Sequence, residues 1–226
     1  MKNLIFILIF LSFSFTALCQ GGVNFEQLTF DEALSKAKAE NKLVFMDCYT
    51  TWCAPCKYMA DNVFPREEAG EFFNPKFVSV KFDMENGEGK ELAQKFGVRA
   101  YPTFLIIRPD GSVQHRIVGG VNLDKFIEIA ERGLNVKTSF DYLDRLHEKG
   151  KMNKKQLISY QIALNDAYEE EKSNKVAQEL KSILKEKDKM QKEYWPILEK
   201  ESFGSDGFKL VLNNLSTFRK NVGKEK

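Results

Sequence analysis

A change of pattern near residue 137 limits this chain's fold more than any other feature. Before it, strand signals alternate with helical ones; after it, only helical signals remain. Thr29-Phe30-Asp31-Glu32 reads as a capping box, and Phe30, Leu34 and Ala37 follow at helical spacing, predicting a helix to about Asn41. Leu43–Met46 is an apolar run of strand length that ends at Asp47-Cys48. A helix is expected from the Cys53–Cys56 segment through Val63, broken or kinked at Pro65. Phe77–Asp83 reads as a second strand, and Lys90–Phe96 as a short helix closed by Gly97. Thr103–Ile107 is a third strand. Pro109-Asp110-Gly111 supplies a turn into a hairpin partner, Val113–Val118. Asn122 caps a last helix carrying Leu123, Phe126, Ile127 and Ala130. A βαβ unit followed by a hairpin and a helix is an α/β layout with a mixed central sheet.

After residue 137 come apolar stripes at Phe140/Leu143/Leu146, Leu157/Tyr160/Leu164/Ala167, Val176/Leu180/Ile183 and Phe208/Leu212/Leu215/Phe218. Short breaks between them predict helical hairpins, with no clean 34-residue repeat. The expected division is a signal peptide at 1–19, an α/β domain at 20–136 and an all-helical extension at 137–226. A hydrophobic fraction of 43% with 19 Phe supports a packed core. The net charge of the whole chain is +2, and the charges of the extension are interleaved in sign, which argues against nucleic acid as a partner.

The N-terminus reads as an export signal. Lys2 precedes the apolar run Leu4–Leu11, and Ala17-Leu18-Cys19 places small residues for cleavage before Gln20. The run is short for a membrane span, which needs roughly 20 apolar residues. Lipidation at Cys19 is the other alternative, against which Leu18 is bulky. The expected location is therefore periplasmic, with secretion or a lipid anchor as variants. Cleavage leaves Cys48, Cys53 and Cys56, an odd set ill suited to a disulfide framework.

Cys53 and Cys56 lie where a loop enters a helix. There the first thiol meets unpaired backbone N–H groups and the positive end of the helix dipole, which favour a thiolate. The spacing lets Cys56 reach the same sulfur and resolve a mixed disulfide. Pro55 suits a first helical turn, and Trp52 offers an apolar wall. Zinc requires about four ligands, and only Cys48 and the distant His115 and His147 remain. Both histidines are expected to face solvent, so no metal site is predicted. A purely structural bridge here closes too short a loop to stabilise much.

Residues 24–135 resemble thioredoxin. Trp52-Cys53-Ala54-Pro55-Cys56-Lys57 is similar to the family's W-C-x-P-C-K signature, with Ala54 where thioredoxins proper have Gly. The resemblance implies a thioredoxin-like fold. It implies that Asp47 is a buried acid moving the resolving proton and that Lys81 is its partner. It implies that Tyr101-Pro102-Thr103 is a cis-proline loop binding substrate backbone, and that Gly119 or Gly120 borders the groove. Read without it, Asp47 is a strand-end polar residue, Lys81 a surface lysine and Cys48 a packed small hydrophobe. Tyr101 departs from the Ile common in thioredoxins and narrows the expected groove. The function implied is an exported thiol–disulfide oxidoreductase acting on protein disulfides with no cofactor beyond the cysteine pair. Pro55, with neither an acid nor a His between the cysteines, points to a reductase fed by a membrane electron donor. The alternatives are an oxidase or isomerase of secreted proteins, and a binding module whose helical tail recognises a protein partner.

Overall fold

A computed structural model describes residues 21–223. The expected leader and Cys19 lie outside these residues. Helix α1 (Phe30–Glu40) starts where the Thr29 hydroxyl accepts from Glu32 N–H and the Glu32 carboxylate accepts from Thr29 N–H at 2.8 Å. It ends at Asn41, whose left-handed conformation (φ 53°) turns the chain into β1 (Leu43–Tyr49). Then come α2 (Ala54–Tyr58), α3 (Glu67–Phe73), β2 (Phe77–Asp83), α4 (Gly89–Lys95), β3 (Thr103–Ile107), β4 (Val113–Val118) and α5 (Leu123–Leu134).

The sheet order is β2-β1-β3-β4, with β1 parallel to β2 and the other pairs antiparallel. It is the mixed sheet that the element order implies. β1 is central, so both of its faces are covered. Strand alternation sends Val44, Met46 and Cys48 to the face covered by α1 and α4. Phe45 and Asp47 turn to the other face, toward α2, α3 and α5. On that face Phe45 sits among the rings of Phe64, Phe73, Phe77, Phe104 and Phe126, with centroids 4.7–6.2 Å away. Edge and offset contacts of this kind add to the burial of large apolar surfaces.

The helix from the cysteine segment runs through Val63 and breaks at Pro65, as expected, but its second half, Met59–Val63, is π-helical. One element was not expected. After Pro65 the chain forms α3, which buries Ala69, Gly70 and Phe73. Its pattern is too short to stand out as a periodic helix in sequence.

The remaining residues are helical: α6 (Phe140–Glu148), α7 (Lys154–Asp166), α8 (Glu170–Ile183), α9 (Glu186–Lys189), α10 (Trp195–Leu198), α11 (Asp206–Asn213) and α12 (Leu215–Asn221). Leu143, Leu157, Tyr160, Leu164, Val176 and Leu180 form their core. The last stripe is not closed, because Leu212 and Leu215 stay 51% and 47% exposed. α6 and α7 pack on β4. Here the expectation of a solvent-facing His115 fails: it is fully buried, and its Nδ1 accepts from Phe140 N–H at 3.0 Å. The extension covers the strand that carries it, and burial pushes its imidazole down to about 4. Around this contact, Arg132 of α5 bonds Asp166 of α7 at 2.6 Å, and Arg108 bonds Asp141 at 2.9 Å. His147 is half-buried beside Glu179.

Candidate active site

The sheet topology gathers the site. The C-terminal end of β1, the N-terminal end of β3 and the C-terminal end of β4 meet on one rim, since Cys48 pairs with Thr103 and Thr103 with Val118. The loop leaving β1 carries Trp52 and Cys53, and Cys53 caps α2. Its Sγ accepts from Cys56 N–H at 3.1 Å, while its own N–H donates to Thr50 C=O at 3.3 Å. Cys53 and Cys56 form a disulfide with an S–S length of 2.04 Å. Their residues are 3% and 7% exposed, and Ala54, Pro55 and Lys57 face outward around them.

The facing loop begins with a cis Tyr101–Pro102 bond. Pro102 C=O accepts from Gly119 N–H at 2.9 Å, tying this loop to the end of β4. Gly119 has φ +95°, where an L side chain is strained. At Gly120 an added Cβ would lie 3.2 Å from Pro55 C=O, so a small residue lets this loop close on the cysteine segment. Trp52 is 63% exposed, meets Tyr101 edge-on at 5.9 Å, and donates its indole N–H to Glu85 Oε2 at 3.0 Å.

Behind the disulfide lies a cavity of about 160 Å³ lined by Asp47, Tyr49, Thr50, Thr51, Cys56 and Lys57, with Ala60 and Lys81 completing it. Asp47 is 6% exposed, and its Oδ1 has no hydrogen-bond partner among the described residues. Burial pushes its carboxyl up to about 7, with the charge of Lys81 pulling the other way. The expected direct pairing with Lys81 is absent. The two residues face each other in the β1–β2 register, but no ion pair joins them among the described residues. The Lys81 ammonium lies 5.7 Å from the centre of the Phe25 ring, on an exposed residue. Holding it outside keeps it hydrated, whereas drawing it onto Asp47 would require desolvation. Cys48 points to the opposite face, where burial and the neighbouring Asp47 charge push its thiol pKa upward.

Two contributors carry no sequence signal of their own. Glu85 reaches Trp52 only because β2 ends beside β1. The Thr50 hydroxyl is buried and without a partner among the described residues, on the wall that Asp47 and Cys56 share. Among the described residues, no group of three or more His, Cys, Asp or Glu is placed to hold a metal, and no helix is long and apolar enough to cross a membrane.

Residues 30–134 match the thioredoxin-like domain model. The H-type thioredoxin of Oryza sativa subsp. indica is 42% identical over 90 residues, covering 40% of this chain and 68% of that protein. A thioredoxin of Aspergillus fumigatus is 38% identical over 99 residues, covering 42% and 84% respectively. The thiol:disulfide interchange protein DsbD of Pseudomonas fluorescens is 32% identical over 99 residues, covering 42% of this chain but only 17% of that protein.

Proposed function

The chain belongs to the thioredoxin family, and from that premise we propose that it works outside the cytoplasm as a reductase of protein disulfides. It is a thiol–disulfide oxidoreductase with its cysteine pair at C-x-x-C spacing. The observation that carries the mechanistic reading is the cavity shared by Asp47 and Cys56 directly behind the Cys53–Cys56 bond.

In the reduced protein, the Cys53 thiolate attacks one sulfur of a substrate disulfide. A mixed disulfide forms and the other substrate sulfur leaves as a thiolate, which takes a proton from water. Cys56 then loses its proton to the Asp47 carboxylate and attacks Cys53 Sγ. That step closes the internal disulfide and releases the second substrate thiolate, so two electrons pass to the substrate. Asp47 suits the proton step because its carboxyl titrates near 7, close to working pH. Trp52, Tyr101 and Pro102 border the groove that holds the substrate chain, with Ala54 and Pro55 on its floor and Lys57 and Lys81 at the cavity mouth. No cofactor besides the cysteine pair enters this scheme.

Export rests on Lys2, the Leu4–Leu11 run and Ala17-Leu18-Cys19. The reducing direction rests on Ala54-Pro55, which puts no charge or imidazole between the cysteines. A reductase in an oxidising compartment requires an electron feed, which a membrane thiol donor would supply. One observation favours a second role for the helical extension as the part that recognises a protein partner. A cleft of about 900 Å³ opens between α8 and α11, with Leu180, Tyr194 and Leu198 among its lining.

The test is reduction of insulin by the residue 20–226 protein, compared with Cys53→Ser. The wild type precipitates the insulin B chain and the variant does not; equal behaviour overturns the enzyme reading. Equilibration with glutathione should give a potential near −270 mV, roughly that of thioredoxin, and a value near about −120 mV overturns the reducing direction.

A further inference from the structure

We propose that Thr50 is a positioning residue for the proton step, its hydroxyl holding, together with Asp47, the water through which Cys56 exchanges its proton. The inference rests on the reading of Asp47 as the proton acceptor and adds a group to it.

Two buried oxygens on one wall lack partners among the described residues: Asp47 Oδ1 and Thr50 Oγ1. Both residues line the cavity that also reaches Cys56. A buried hydroxyl without a partner costs on the order of 1–3 kcal/mol, so a threonine here calls for an occupant that it can bond. The cavity that both residues line holds about 160 Å³, against roughly 30 Å³ for one water in the liquid, so it has room for a water, which reaches the two shielded oxygens by a small rotation of their side chains. Thr50 is also fixed in place, because its carbonyl accepts from Cys53 N–H at 3.3 Å. Its backbone therefore helps to hold the attacking cysteine, and the residue lines the cavity that the resolving one also lines. Apolar packing alone would be served as well by valine, which has the same shape without the hydroxyl.

The proton balance is simple. Cys56–SH gives its proton to the water as the water gives one to Asp47, leaving a thiolate that attacks Cys53 Sγ and a neutral carboxyl. The carboxyl then returns the proton to solvent through the mouth between Lys57 and Lys81. Thr50 gains and loses nothing; it fixes the water by one hydrogen bond.

The test uses the reduced protein mixed rapidly with dithiobis(nitrobenzoate). Attack by Cys53 releases one coloured thiolate, and resolution by Cys56 releases the second. Thr50→Val should leave the first phase unchanged and slow the second roughly threefold to tenfold, the worth of one hydrogen bond. The pH midpoint of the second phase should also move upward relative to the wild type, because a carboxylate that loses a hydrogen-bonded water holds its proton more tightly. Thr50→Ser should restore both. Thr50→Ala, scored in the same way, serves if the valine variant does not fold. A second phase with unchanged rate and midpoint in the valine or alanine variant overturns the proposal. Asp47→Asn separates the two readings. If it leaves the second phase unchanged, the assignment of Asp47 fails; if it slows that phase while Thr50→Val does not, only the role of Thr50 fails.

Discussion

Trp52 and Tyr101 come from loops on different strands, and their rings meet edge to face with centroids 5.9 Å apart beside the disulfide. In the proposed mode of action this contact forms one wall of the substrate groove, and Glu85 holds its far side by accepting the indole N–H at 3.0 Å. Trp52 stays 63% exposed despite both partners. A large aromatic surface held rigid but left open is suited to pack against an incoming chain.

Removing the acceptor should loosen that wall without touching the sulfurs. Glu85→Ala is expected to raise KM for insulin roughly threefold to tenfold, the loss of about 1 kcal/mol, with kcat little changed. Steady-state kinetics checks this, and the same variant should change Trp52 fluorescence anisotropy. A fall in kcat with KM unchanged would show that Glu85 acts on the chemistry instead.

Asp47 should make the folded protein less stable as pH rises. Its folded pKa, about 7, lies above the ordinary value of 3.8, so between these values the folded state binds more protons than the unfolded state. Stability from this group is complete below about 4 and is lost as pH rises through 7, by at most about 4 kcal/mol. Urea unfolding of wild type and Asp47→Asn across that window should show the decline in the first and not in the second.

His115 acts in the opposite sense. Its folded pKa of about 4 lies below 6.5, so its stabilisation is complete above 6.5 and is lost as pH falls toward 4. His115→Gln should remove that acid-side slope. The neighbouring Arg132 guanidinium stays charged throughout this window and adds nothing to the slope. A slope unchanged in the variant would place the titrating group elsewhere.

The dock of the helical extension should fail at Arg132–Asp166. Asp166 is almost wholly buried, and Arg132 bonds it at 2.6 Å. Asp166→Ala leaves the largely buried Arg132 guanidinium with Glu128 alone and should cost about 3 kcal/mol in thermal or urea unfolding. Insulin reduction should persist below the new melting point, since no residue bordering the disulfide is altered.

Cys48 should be silent in the native protein. It has no exposed surface, and its pKa is pushed up by burial, so iodoacetamide should label reduced Cys53 first and Cys48 only after unfolding. Prompt native labelling at Cys48 would contradict its placement on the α1 face.

The legible parts of this protein were those that local chemistry dictates. The Thr29–Glu32 box and the Asn122 cap set helix starts within a few residues of chain, and the apolar run Leu43–Met46 marked β1 and its end at Asp47-Cys48. Trp52-Cys53-Ala54-Pro55-Cys56-Lys57 declared its chemistry because a helix start, a proline and two thiols at that spacing act together over one turn. Helix α3 was not legible, because its few buried residues gain their meaning from the sheet they cover. His115 looked like a surface residue for the same reason: nothing near it in the chain reveals that α6 and α7 will lie on β4. Lys81 shows the limit of register, since sitting opposite Asp47 did not make an ion pair once hydration of the ammonium was weighed. The sequence by itself determined the order of the four strands along the chain and the pair of thiols at a helix start. Only the tertiary structure decided which distant groups surround them, namely Glu85 against Trp52 and the helical cover of His115. Burial, and the polar groups it leaves without water, depend on surfaces brought together from far along the chain.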